Sequence, residues 1–129
     1  MTTRQGCHRI ARSTLLGVLL GALAACATTD ARHDFIGEAY ASRPADAPVE
    51  VFREGLPTRP YVKTARLDVH LEKSGWVTSK FEDALPELKK QARQTGSDAI
   101  IEITEKQSHY LETMMYHVTA YGIRYTDAR

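Results

Sequence analysis

Residues 79–103, "SKFEDALPELKKQARQTGSDAIIEI", hold the transition that decides the fold. Phe81, Ala84, Leu85, Leu88 and Ala92 fall at i, i+3, i+4, i+7 and i+11, one apolar stripe of an α-helix. Ser79 and Glu82 have capping-box spacing. A helix starting there, however, puts Pro86 in its interior, at a cost of about 3 kcal/mol or a kink. Taking Asp83 as N-cap moves Pro86 into the first turn, where no amide hydrogen is missed. Gly96 is the expected left-handed stop. Directly after it the period changes from 3.6 to 2: "SDAIIEITEKQ" reads as a strand with Ala99, Ile101 and Ile103 facing inward.

Upstream, "YVKTARLDVHLEK" (61–73) alternates Ala65, Leu67, Val69 and Leu71 with Arg66, Asp68, His70 and Glu72, the pattern of a half-buried strand with a solvated His70. "VEVF" (49–52) is a shorter strand, separated from it by the turn "EGLPTRP" with its glycine and two prolines. Downstream, "MMYHVTAYGIRYT" is the last strand, with Tyr116, Val118 and Ala120 inward. The expected domain is α+β, a two-layer sandwich of order β-β-α-β-β with one helix on a roughly four-stranded sheet. Leu88 is then expected to face Ile101.

The sheet face away from the helix would carry Met115, His117, Tyr121, Ile123 and Tyr125, which is very apolar for a surface in contact only with water. Met115, Tyr121, Ile123 and Tyr125 therefore form a candidate interaction surface, for a second copy of the chain or another envelope protein. In the competing reading "DFIGEAY" (34–40) folds back over it and no interface exists.

The beginning of the sequence has a different character. "MTTRQGCHRIAR" carries Arg4, Arg9 and Arg12 and no acid, and an uncharged run follows from Leu15 to Ala25. A basic segment before an apolar one describes an export signal. The run is about half the roughly 20 residues a membrane-spanning helix needs. It ends in "LAAC", Leu23 to Cys26, which resembles the lipobox of bacterial lipoproteins. The resemblance implies cleavage before Cys26, a diacylglyceryl group on its thiol and an acylated amine. One acyl chain, at about 0.8 kcal/mol per buried methylene, holds a protein reversibly, whereas two or three hold it for its lifetime. Ala27 after Cys26, in place of the Asp that retains such proteins in the inner membrane of enteric bacteria, implies the outer membrane, facing the periplasm. The chain thus divides into a signal peptide (1–25), lipidated Cys26 with a flexible tether (26–48) and a small α+β domain (49–129). A tether of that length spans roughly 25 Å.

Processing changes the charge and the thiols. The full chain has 17 basic and 16 acidic residues; without Arg4, Arg9 and Arg12, 14 basic residues remain against 16 acidic, a net of about −2. No basic stripe is left for nucleic acid. Cys7 lies in the removed segment and Cys26 is consumed by lipid, so no disulfide is expected.

A second resemblance covers the last 45 or so residues. Gln91, Ala92, Arg93, Gly96, Ser97, Asp98, Ala99, Ile100 and Ile101, then Val118, Thr119, Gly122, Ile123 and Arg124, are similar to the pattern of the YbjQ-like family of small bacterial proteins. Members of that family are often labelled heavy-metal-binding and tend to form rings, but Ala92, Gly96 and Ala99 each have a plain packing or turn reason, so the resemblance implies a fold and not a site. A looser likeness connects the chain to small envelope lipoproteins such as the stress sensor of the Rcs phosphorelay, which relies on disulfides that this chain lacks.

His33, His70, His109 and His117 form no tight pair, and the sequence has no Gly-rich phosphate loop and no Gly-x-Ser-x-Gly. No enzymatic activity and no cofactor are expected. His109, Glu112 and His117 flank the last hairpin and are the one candidate metal set. Two functions remain open: a membrane-anchored, non-catalytic envelope lipoprotein that binds a protein partner or itself, and a small metal- or ligand-binding envelope sensor.

Overall fold

The computed structural model describes residues 26–127. The 1–25 segment read as a signal peptide lies outside them. Six elements follow in chain order: β1 (Ala27–Phe35), β2 (Glu50–Val51), β3 (Tyr61–Lys73), α1 (Phe81–Gln94), β4 (Ala99–Tyr110) and β5 (Thr113–Tyr125). The domain is α+β, with α1 laid on one face of a five-stranded mixed sheet of order β1-β3-β5-β4-β2. Strands β1, β3, β5 and β4 pair antiparallel, and β2 adds a two-residue parallel edge on β4.

The first correction concerns residues 27–48, read above as a flexible tether. Ala27–Phe35 is a nine-residue strand paired along its length with β3, from Ala27 opposite Lys73 to Phe35 opposite Ala65. All of its residues but His33 are exposed, so no burial signal marks it in the sequence. Residues 36–48 are also tied down. Ile36 N–H donates to Thr64 O at 2.8 Å, Arg43 N–H to Arg93 O at 2.8 Å, and Arg43 NH1 to Ser97 O at 2.8 Å. The fifth strand extends the four expected ones.

The helix begins earlier than Asp83. Its N-cap is Lys80, and Asp83 sits three residues in, where its carboxylate accepts from the Lys80 backbone N–H at 3.0 Å and from Lys73 Nζ at 2.9 Å. The Lys73 bond and then the Lys80 bond hold the Asp83 carboxyl below its ordinary range. This start turns Phe81 into the core and leaves Pro86 inside the helix, beyond the turn where its missing N–H is harmless. Burial of the apolar stripe outweighs the one lost backbone bond. The other end matches expectation: Gly96 (φ 70°) follows the helix, Ser97 N–H reaches Ala92 O at 2.8 Å, and Gly96 N–H reaches Arg93 O at 3.2 Å. These two bonds define a Schellman stop. A Cβ on Gly96 would lie 2.6 Å from Tyr40 Cβ, so the glycine also admits the 36–48 segment.

The main core lies between α1 and the sheet: Phe81, Ala84, Leu88 and Ala92 from the helix meet Ala65, Leu67, Val69 and Leu71 of β3 and Tyr116, Val118 and Ala120 of β5. The β3 and β5 faces are those the alternation predicts. On β4 the expected inward facing holds for Ile103 but not for Ala99 and Ile101, which point to the other face while Ile100 joins this core. The register slips between Ile101 and Thr104 at a bulge where Glu102 has φ 49°, and one extra residue reverses the facing of everything beyond it. Leu88 therefore shares its core with Ile100, not Ile101. A second bulge, between Lys63 and Ala65, turns Thr64 inward, where its hydroxyl lies 2.6 Å from Ser97 Oγ.

Candidate functional site

The surface proposed from Met115, Tyr121, Ile123 and Tyr125 does lie on the sheet face away from α1, but half of it is occupied by the chain itself. Ile123 is fully buried and Tyr125 nearly so, in a second core with Ala99 and Ile101, packed by Phe52, Tyr61 and Tyr121. The cover comes from the β2–β3 connection, not from "DFIGEAY". The Arg59 guanidinium lies 3.8 Å over the Tyr125 ring and makes a two-bond ion pair with Asp127, at 3.0 and 2.9 Å. Lys63 Nζ sits 4.0 Å over the Tyr121 ring. The Tyr125 hydroxyl donates to Glu50 at 2.8 Å, and burial together with that bond pushes its pKa up to about 12. Ile123 and Tyr125 are thus core residues, while Met115 and Tyr121 stay half-buried at the margin.

The rest of that face is polar. Strand register aligns Arg32 with Asp68 and Thr119, and His70 with Asp30 and His117. The two imidazoles meet edge to face with centroids 5.7 Å apart. Each is held by a carboxylate, His117 Nε2 by Asp68 at 2.9 Å and His70 Nε2 by Glu72 at 3.0 Å, with Arg32 Nε 4.0 Å from Asp68. His70, read above as merely solvated, is half of this pair. The sequence signal was available in hindsight, since His70 and His117 both occupy the polar phase of strands that pair.

The expected set of His109, Glu112 and His117 does not assemble. His109 is in register with Met114, one residue out of phase with the open-face positions Met115 and His117, so the two histidines project from opposite faces of the sheet. His109 lies beside Trp76, ring centroids 6.2 Å apart, and Glu112 belongs to the hairpin turn. Among the described residues no cluster of three or more His, Cys, Asp or Glu side chains is arranged to hold a metal ion.

Behind α1, a groove of about 520 Å³ is lined by Arg43, Pro86, Lys90 and Arg93 among others. Its cations are already engaged: Arg43 binds the carbonyls of Pro48 and Ser97, Arg93 that of Ala47, and Lys90 the Glu87 carboxylate. Arg93 to Ala47 and Arg43 to Ser97 tie the 36–48 segment to the helix and its stop.

The two edges of the sheet differ. β2 shields the Ala99–Ile100 end of β4, whereas among the described residues β1 has no strand on its outer side. Ile36 N–H bonds Thr64 O and Ser74 N–H bonds Cys26 O, so in this register the even-numbered residues of β1 bond to β3. By the alternation of an antiparallel ladder, the N–H and C=O groups of Ala27, Thr29, Ala31, His33 and Phe35 point outward. Cys26, exposed, precedes this edge by one residue. Among the described residues no helix is long and apolar enough to cross a membrane.

What fold and site define is therefore a small α+β domain whose β1 edge, among the described residues, is paired on one side alone. No protein-family model matches the chain, no curated protein matches it, and no solved structure matches it.

Proposed function

We propose that this is a membrane-anchored envelope lipoprotein, acylated at Cys26 and held at the periplasmic face of the outer membrane, which acts as a non-catalytic interaction module through its free β1 edge. The observation that carries the reading is the junction at Cys26. The "LAAC" motif ends at an exposed cysteine and the folded sheet starts at the next residue, so cleavage before Cys26 leaves every described element intact. A nine-residue edge without proline, lysine or bulge is a template for strand addition by a partner chain.

Replacing Cys26 by Ser tests the anchor: incorporation of labelled palmitate should stop and the protein should leave the membrane fraction. Continued incorporation overturns the reading. For the edge, Ala31→Pro removes an outward N–H without touching the ladder to β3, and should abolish cross-linking to the partner seen with the unaltered chain.

A further inference from the structure

The end of the sheet next to Cys26 carries an apolar tip that the fold leaves uncovered. Trp76 and Val77 in the β3–α1 connection are 64% and 45% exposed, and Tyr110 and Leu111 at the β4–β5 turn are 71% and 72% exposed. The two loops are joined, with Trp76 N–H donating to Glu112 O at 3.0 Å. Trp76 (φ 61°) and Leu111 (φ 51°) hold left-handed backbone conformations that bulky side chains rarely adopt. Nothing in the core rewards this strain, since neither side chain enters a core cluster and the Trp76 ring lies beside that of His109.

Cys26 is at the same end. Its carbonyl accepts the Ser74 N–H at 3.3 Å, two residues before Trp76, and Ala27 is opposite Lys73 in the register. An acylated Cys26 with no spacer before β1 would hold this end of the sheet against the bilayer, with the strands running away from it. Tryptophan and tyrosine favour the headgroup region, where an apolar ring and a polar atom are both accommodated, and Leu and Val favour the acyl boundary beneath. From the coincidence of anchor and tip we infer that Trp76, Val77, Tyr110 and Leu111 insert into the membrane interface as a second attachment, which fixes the orientation of the domain. The inference rests on the lipoprotein reading for its geometry, though insertion itself is measured separately.

Trp76 is the chain's single tryptophan, so its fluorescence reports this site alone. The full-length protein, purified from membranes, is reconstituted into vesicles of phosphatidylethanolamine and phosphatidylglycerol, with or without brominated acyl chains, and Cys26 is examined by mass spectrometry in the same preparation. Trp76 emission should shift to shorter wavelength, be quenched by the brominated lipid, and be shielded from aqueous acrylamide. The double variant Tyr110→Ser, Leu111→Ser, which leaves Trp76 in place, should lose much of the lipid quenching while keeping the lipid on Cys26. Emission typical of water, quenched by acrylamide and not by bromine, in a protein whose Cys26 is acylated, overturns the tip and leaves the anchor standing. Lipid quenching in a protein whose Cys26 carries no lipid supports the tip and overturns the anchor.

Discussion

Substitutions at Leu88, Ile100 and Ile101 test the bulge that divides the two cores. Leu88 is fully buried among Ala65, Leu67, Val69 and Val118, and its truncation to Ala should cost about 2–5 kcal/mol, partly from the cavity left behind. That is a large share of the roughly 5–15 kcal/mol available to a domain of ordinary stability. Ile100→Val and Ile101→Val each remove one methyl from a fully buried side chain and should cost about 0.5–1.5 kcal/mol alone. Their behaviour beside Leu88→Ala should differ. Ile100 lies in the same core as Leu88, so the pair should couple by about 0.5 kcal/mol or more; Ile101 lies across the sheet in the other core, and its effect should add to within about 0.3–0.5 kcal/mol. Urea unfolding of the three single and two double variants against the unaltered chain gives both coupling energies. Coupling of Leu88 to Ile101, with simple addition for Ile100, would place β4 in the unbulged register and refute the assignment of faces.

Two further outcomes follow from burial and backbone geometry. Tyr125 and Tyr116, both raised by burial and by bonds to Glu50 and Glu105, should release their protons late in an alkaline absorbance titration; their contribution to stability, full below pH 10, should fade as pH rises toward about 12. Release of Tyr125 at the ordinary phenol pKa near 10 would show that the second core is open to water. Gly96→Ala should destabilise the domain more than Gly55→Ala, since both have positive φ but only Gly96 would push a Cβ into Tyr40 and the Ala41 carbonyl, and thermal unfolding of the two variants compares them directly.

The helix, its glycine stop and the inward faces of β3 and β5 were legible in the sequence because each is a local matter: Leu88 and Ala92 recur at helical spacing, Leu67 and Val69 alternate, and Gly96 supplies a conformation other residues resist. The apolar stripe also required a sheet beneath it, and with that the α+β class followed. β1 was not legible. "ATTDARHDF" buries almost nothing, and its strand character comes from the ladder that β3 offers, a partner some forty residues away along the chain. The start of α1 depended likewise on a distant contact, Lys73 against Asp83, and on the room for Phe81 beneath the Arg53 guanidinium, 3.9 Å from its ring. The facing of Ile100 and Ile101 turned on one extra residue in β4, because a period of two reverses with a single insertion and composition carries no trace of it. The open face shows the same division: sequence placed Ile123 and Tyr125 away from the helix, but only the folded chain brings Arg59 and Phe52 across to cover them and sets His70 against His117, since those contacts join segments that no local pattern links.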